Sequence, residues 1–522
     1  MTEYYPHRVR AQPEALAGQW VLNHHDRPVP AGWIVFTHGP WTLATNPALP
    51  CVRLAGPGGD TVGWLLGHAV TPDGELARGE LRLAASQIGW EAAREQFVDG
   101  LGGRFVVVLL AGSSPRLYPD ALATLAAVFA PEEALVASTS SLIPLSPSTP
   151  YQLEWILATD IPYTKAEYPF GLTPRRGVER VLPNHYLDLS TWTLVRRWPT
   201  GELPIIVDTE TAHRRVAELA SRAIEAVAGI CPIQSPLTAG YDSRVLLACS
   251  RAVLDRITLF TAHLPGETTG WRDIVVARAI AAKVGLPHTV LPHRRARASD
   301  LREFVERTGG EAGEPRGWQA IRTFKQTAPD RATLMGHSAD IARGDYWNWM
   351  QPITAVTASR LLKICRVPPL PDFVARAKAW LRALPTRNMI TVMDLVYAEQ
   401  SGGCWAGVIE YAEDGYSLLR LAPMCHAEII RTLMRLPEAY RRANGFEHDL
   451  LAARWPELLE FPINDQLPVG RVRERYYRTR ESLETQWAQV GRSSRRLRAS
   501  WPGLGAGGFG RPAGERLDLD LA

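Results

Sequence analysis

The sequence predicts an α/β protein of two domains, the second built on a doubly wound parallel sheet. Two observations carry that expectation. From Thr209 onward, short apolar runs alternate with segments of helical periodicity in the order helix, strand, Gly-containing loop, helix, strand, helix, strand, as parallel sheets require because each crossover is a helix. Before that point the chain reads as mainly β with some helix, its strands punctuated by Gly and Pro. A chain of 522 residues accommodates roughly two to four domains at about 150 residues each.

In chain order, GWIVFTHGPWTLATN and GDTVGWLLGHAV read as strands. Trp90–Leu101 has helical spacing of its apolar positions and ends at Gly102 and Gly103. Arg104–Leu110 and Ala134–Thr139 read as strands, and the turn at Pro183–Asn184 feeds a short strand through Leu189. The stretch WPTGELP at 198–204 is the candidate linker. Thr211–Ala228 is a helix with Val216, Leu219, Ala220, Ile224 and Val227 on one face. An apolar stretch at 230–237 then leads into a small-residue loop and a helical segment. Ile257–Ala262 and His288–Leu291 are strands around the helix Asp273–Val284, and helices dominate from there to about 490. The domains are expected at 1–200 and 205–490, with a Gly/Arg-rich tail at 491–522 expected to be frayed.

Composition excludes several classes. A net charge of +4 over the whole chain is too small to make nucleic acid or membrane the main partner. The longest apolar run, Phe105–Ala111, has the length of a buried strand and not of a membrane span. The six cysteines are scattered with no C-x-x-C pair, which fits reduced, buried thiols and not a zinc site or disulfide framework. With no apolar segment at the N-terminus, the expected location is the cytoplasm.

The chemistry is expected at Ser235–Arg244, SPLTAGYDSR. Small residues at Thr238, Ala239 and Gly240 let backbone N–H groups approach an anion, a helix N-terminus adds partial positive charge, and the Thr238 and Ser243 hydroxyls donate. The G-x-x-x-x-G-K spacing of a Walker loop is absent. An acid inside a phosphate loop makes sense as a ligand of a divalent cation, so Asp242 is the first candidate metal ligand; the alternative is a capped helix start with no ligand. A second apolar strand ends in Gly336-His337-Ser338-Ala339-Asp340. Asp242 and Asp340, each just past a strand, are placed to share one Mg²⁺ on a pyrophosphate, the alternative for Asp340 being an ordinary acidic loop.

T-A-G-Y-D-S-R at 238–244 resembles the S-G-G-x-D-S pyrophosphate loop of the asparagine synthetase superfamily. Asp273, Ala277, Ala281, Gly285 and His288 resemble its D-x-x-x-A-x-x-x-A-x-x-x-G-x-x-H stretch, and Gly336–Asp345 its G-x-G-S-D-E segment. GGRFVVVLL at 102–110 and the stretches 117–143 and 170–190 resemble its N-terminal-nucleophile (Ntn) domain, so the likeness runs over about 100–465 in the family's order. The resemblance implies a degenerate glutamine amidotransferase-like α-β-β-α domain, followed by an ATP-pyrophosphatase domain of the adenine nucleotide alpha hydrolase type. It implies ATP and Mg²⁺, adenylation of a substrate carboxylate with release of pyrophosphate, and attack by an amine. Thr238, Ala239, Gly240, Asp242 and Ser243 then hold pyrophosphate, Asp273 lies near nucleotide or substrate, and Asp242 and Asp340 hold the metal.

The departures are specific. Glutamine-dependent members carry Cys after the initiator Met; here it is Thr2, and R-G-P-D-like and N-G-E-like segments are absent. The first domain is therefore expected to lack glutaminase activity, with nitrogen coming from ammonia or an amine on a substrate, as in the β-lactam-forming and lasso-peptide-forming relatives. His337 stands at the first Glu of the G-E-G-S-D-E pattern and Ile341 at the second, closer to the β-lactam branch; His337 is a candidate general base or else a packing residue. The family's C-terminal lysine has no counterpart, since no lysine follows Lys378. Arg441 and Arg454 are the candidates to supply its charge, with Arg442 and His448 nearby. Arg471–Arg480 is a solvated helix face or a surface for an acidic partner, and Trp347 and Trp349 line a pocket or pack in the core.

The resulting expectation is an AMP-forming carbon–nitrogen ligase acting on a small-molecule or peptide carboxylate with an amine acceptor. It binds neither nucleic acid nor membrane, and a pathway partner protein is possible. The rivals are ammonia-dependent asparagine synthesis and an inactive scaffold that keeps the fold. The ligase expectation requires Asp242 and Asp340 to face each other across open space; side chains filling that space remove it.

Overall fold

The computed structural model describes residues 16–25, 27–83, 90–112, 114–263, 270–348 and 355–464. Thr2, Trp349, the 471–480 stretch and the 491–522 tail lie outside the described residues. The strands are β1 (Trp20–Asn23), β2 (Ile34–His38), β3 (Trp41–Thr45), β4 (Cys51–Ala55), β5 (Thr61–Val70), β6 (Glu80–Arg82), β7 (Gly102–Leu109), β8 (Arg116–Pro119) and β9 (Val128–Ala130). They continue with β10 (Leu135–Ala137), β11 (Glu179–Arg180), β12 (His185–Asp188), β13 (Thr193–Arg196), β14 (Ile233–Pro236), β15 (Ile257–Ala262), β16 (His288–Leu291), β17 (Ala332–Leu334) and β18 (Leu419–Leu421).

The N-terminal strands form two sheets, ordered β11-β9-β10-β1-β3-β2 and β13-β12-β8-β7-β5-β4-β6. Alternation along β7 shows how they stack. Val106 and Val108 join Trp20, Leu22 and Leu43 of the facing sheet in one buried cluster, whereas Phe105, Val107 and Leu109 point to the opposite face. The apolar run read as a buried strand is buried on both faces for that reason. Val98, from the helix Trp90–Asp99, covers the outer face of the seven-stranded sheet. The outer face of the other sheet is covered by Leu16, Trp33, Ile143 and Val178, and no α-helix among the described residues belongs to that cluster. An α-β-β-α layering is thus seen on one side only.

The C-terminal half holds a five-stranded sheet, β16-β15-β14-β17-β18, every neighbouring pair parallel. Strands β15 and β16 occupy the spans expected from sequence, and the helices Thr209–Ala228 and Gly270–Val284 begin two and three residues earlier than expected. Asp208 caps the first by accepting from the Thr211 amide at 2.9 Å. The chain runs outward from β14 through β15 to β16, then returns to the other side of β14 to lay down β17 and β18. The order reverses between β14 and β17, and at such a switch point the loops leaving the two strands splay apart and open a crevice at the strand C-termini.

The two halves form one body. Arg104 of β7 makes a buried two-pronged pair with Asp414 at 2.6 and 2.8 Å, and Tyr411 donates to the Ala126 carbonyl at 2.7 Å. Gly407 lies so close to Ala123 that a Cβ there would meet the Ala123 carbonyl oxygen at 2.1 Å. All six cysteines are free thiols and five are buried. No helix among the described residues is long and apolar enough to cross a membrane.

Candidate active site at the sheet switch point

The loop after β14 and the segment after β17 converge at the crevice. Thr238 and Ser243 bond each other, the Thr238 amide donating to Ser243 Oγ at 3.0 Å and the Gly240 amide to Thr238 Oγ1 at 3.1 Å. The Ala239 amide donates to Asp273 Oδ1 at 2.8 Å, so Asp273 places a carboxylate where the loop is built to meet an anion. Arg244 faces away from the crevice. Fully buried, it donates to the carbonyls of Ala239, Leu458, Phe461 and Pro462 and stitches the chain's 458–462 stretch to the loop.

Past β17 the backbone turns sharply. Ser338 is buried with φ +76°, a left-handed conformation that costs a non-glycine residue on the order of 1 kcal/mol. Gly344 closes the short helical turn Ala339–Arg343 with φ +64°, and a Cβ there would lie 2.3 Å from the Trp347 ring. Trp347 itself is core, donating to Asp394 at 2.8 Å.

Asp242 and Asp340 are brought together, but the space between them is filled. Arg343 Nη1 lies 2.5 Å from Asp242 Oδ1 and Nη2 lies 2.9 Å from Oδ2, and Nη2 also donates to Asp340. A third carboxylate, Glu447, lies 3.7 Å from Nη1. The expectation of open space between the acids is therefore corrected: a guanidinium stands at the point they share. Burial and the neighbouring Asp340 raise the Asp242 pKa against the opposing pull of Arg343. Burial likewise pushes Glu447 up to about 7. Among the described residues no group of three or more His, Cys, Asp or Glu is placed to hold a metal ion; Asp242 and Asp340 are the one or two carboxylates that Mg²⁺ takes beside phosphate oxygens, and they would fit it with Arg343 moved aside.

Beside Asp340 opens a cleft of about 330 Å³ lined by Lys165, Glu167, Glu314, His337, Asp345, Tyr346, Arg366, Tyr397 and Trp405, among others. Tyr397 donates to Asp340 Oδ2 at 3.0 Å from the start of a π-helical stretch, Tyr397–Ala406, that forms one wall. His337 sits at the mouth with Nε2 2.7 Å from Glu410 Oε1. Burial opposes ionisation of Glu410, but Arg420 and His337 outweigh it and hold the carboxyl well below the usual range. The pair orients the imidazole, and a histidine so held can accept a proton from a group in the cleft.

Arg441 and Arg454 do not line the cleft. Arg441 is fully buried, pairs with Asp394 at 2.6 and 2.7 Å and donates to the Ile341 carbonyl, so it anchors the turn bearing Asp340 without reaching a ligand. Arg454 donates to Ser221 Oγ at 3.0 Å on the helix Thr209–Ala228. Sequence reading missed Arg343, Glu410 and Glu447. Arg343 carries a local signal, three residues after Asp340 on the same turn; the other two carry none.

No protein-family model matches the chain, and no curated protein matches it. Among solved structures, a glutamine-dependent NAD+ synthetase from Acinetobacter baumannii in complex with ADP aligns at 12% identity and TM-score 0.18, over 43% of this chain and 44% of that one. An NAD+ synthetase from Burkholderia pseudomallei aligns at 13% identity and TM-score 0.18, over 49% of this chain and 91% of that one. The chain spans under half the length of the first. Likeness at this level says nothing of what this chain binds or turns over.

Proposed function

We propose that the chain is an ATP-dependent, AMP-forming carbon–nitrogen ligase without glutaminase activity. The observation that carries the reading is the approach of two strand-end carboxylates, Asp242 and Asp340, at the sheet's switch point beside an open cleft; Arg343 fills the space between them in this state, against the open space the sequence expectation required, so the reading holds only if that side chain moves aside. Thr238, Ala239, Gly240 and Ser243 receive the pyrophosphate end of the nucleotide, a role that requires Asp273 to release the Ala239 amide. Asp242 and Asp340 would hold Mg²⁺, which would supply charge neutralisation on the leaving pyrophosphate. The cleft takes the carboxylate substrate, with Lys165 and Arg366 as its cations, and Glu167 and Glu314 positioned to meet an ammonium. His337, oriented by Glu410, takes the proton from the attacking amine.

The resemblance to β-lactam and lasso-peptide cyclases favours an amine carried on the substrate; ammonia-dependent asparagine formation is the alternative within ligases. A second reading, a fold-retaining scaffold, is favoured by one observation, the Arg343 guanidinium standing between the two acids. Pyrophosphate release separates the readings. Full-length protein is incubated with ATP, Mg²⁺ and panels of amino acids and peptides. Substrate-dependent release supports the ligase, and none across the panels supports the scaffold.

A further inference from the structure

We infer that Arg366 is a specificity-determining residue of the cleft, holding a carboxylate of the substrate other than the one that reacts, from a backbone position that a glycine would fill at lower cost. The inference rests on the reading of the cleft as the substrate site and adds a second anionic group to that substrate. The helix Ala358–Ile364 ends in a Schellman motif: the Val367 amide donates to the Leu362 carbonyl at 3.0 Å and the Arg366 amide to the Lys363 carbonyl at 3.1 Å. That closure puts Arg366 at φ +57°, in the left-handed region. The helix Gly270–Val284 ends in the same way, the Leu286 amide donating to the Ala281 carbonyl at 3.0 Å, and there the left-handed residue is Gly285, φ +72°. A Cβ is disfavoured in that conformation, so arginine at this position lowers stability relative to glycine.

The helix stop needs only the backbone of residue 366; what arginine adds is its side chain. The guanidinium is half exposed and lines the cleft. Among the described residues its one hydrogen bond is long, Nη1 to the Lys165 carbonyl at 3.4 Å, and Glu167 Oε1 stands 3.7 Å from the same nitrogen. Nε and Nη2, the edge of the fork that suits a carboxylate, donate to no described residue. Lys165 lines the same cleft and brings a second cation, while Glu167 and Glu314 remain for an ammonium. The cleft wall from Arg366 to Asp340 runs through two tyrosines. Tyr346 lies within electrostatic reach of Glu167 and Arg366, its ring meets Tyr397 edge-on with centroids 5.5 Å apart, and Tyr397 donates to Asp340 at 3.0 Å. An anion held by Arg366 is therefore separated by the tyrosine pair from the strand-end acids, where adenylation is placed.

Urea midpoints of the full chain, alone and with glutarate, L-glutamate or butyrate, test this without any turnover. Arg366→Gly and Arg366→Asn relieve the backbone, so both are expected to unfold at higher urea than wild type when no ligand is present. Glutarate or L-glutamate, each with two carboxylates, is expected to raise the wild-type midpoint, and butyrate, with one, to leave it in place. Both variants are expected to bind the two-carboxylate probe at least about tenfold more weakly and so to lose most of that rise. A wild-type midpoint that neither two-carboxylate probe moves, a rise that the variants keep, or an equal rise with butyrate overturns the inference. Lower midpoints in both variants without ligand also overturn it, because they make Arg366 a structural tie. Pyrophosphate release is not read, so a failure here leaves the ligase reading to its own test.

Discussion

Arg343 meets both oxygens of Asp242, 101 residues away in sequence, and through the same guanidinium touches Asp340. The two loops of the switch point are thus cross-linked by charge in the state described here. Asp242→Asn removes one partner from this network and one of the two ligands proposed for Mg²⁺. Substrate-dependent pyrophosphate release is expected to fall by about 10²–10³-fold, while circular dichroism stays that of wild type because Arg343 keeps Asp340 and Glu447.

His337 and Glu410 form the proton-accepting pair of the account. His337→Gln is expected to lower kcat for amide formation by about 10²–10⁴-fold with little change in the apparent affinity for ATP. Glu410→Gln is expected to lower it less and to shift the acidic limb of the kcat pH profile. Unchanged profiles in both variants would make the histidine a packing residue.

Glu167 lies buried in the cleft wall, accepting from Gln400 Nε2 at 3.0 Å. Burial pushes its pKa up to about 7, against the pull of Gln400 and Arg366. A carboxyl whose folded pKa exceeds its unfolded value binds more protons when folded, so stability falls as pH rises between about 4.5 and 7 and stays lowered above that window. Glu167→Gln is expected to flatten this dependence and to gain roughly 1–3 kcal/mol at pH 8 relative to pH 5, measured as urea midpoints.

Arg441 and Arg454 separate structural from catalytic arginines. Arg441→Met strands Asp394 in the core and is expected to cost about 3–5 kcal/mol, with much of it recovered in Arg441→Met/Asp394→Leu. Arg454→Ala is expected to change neither turnover nor stability by more than about 0.5 kcal/mol.

The parallel sheet and both loops were legible because their signals are local: apolar runs of strand length, Gly and small residues at strand ends, and an acid a few residues on. Strands β15 and β16 match their expected spans for that reason. The partners of those acids were not legible. Glu410 reaches His337 across 73 residues, and Glu447 and Arg343 are brought together only by packing of the helix Gly445–Arg454 against the helix Tyr241–Cys249 and the turn Ala339–Arg343. The pairing of Arg441 with Asp394 was hidden for a related reason: nothing in a run of arginines tells which guanidinium is spent on a buried carboxylate.

Isothermal titration of full-length protein with a non-hydrolysable ATP analogue and Mg²⁺ tests the central claim, a nucleotide seated between the ends of β14 and β17. The account predicts saturable one-site binding in wild type that Asp242→Asn and Asp340→Asn each weaken by at least about tenfold. Absence of binding in wild type, or binding that both variants leave unchanged, would contradict it.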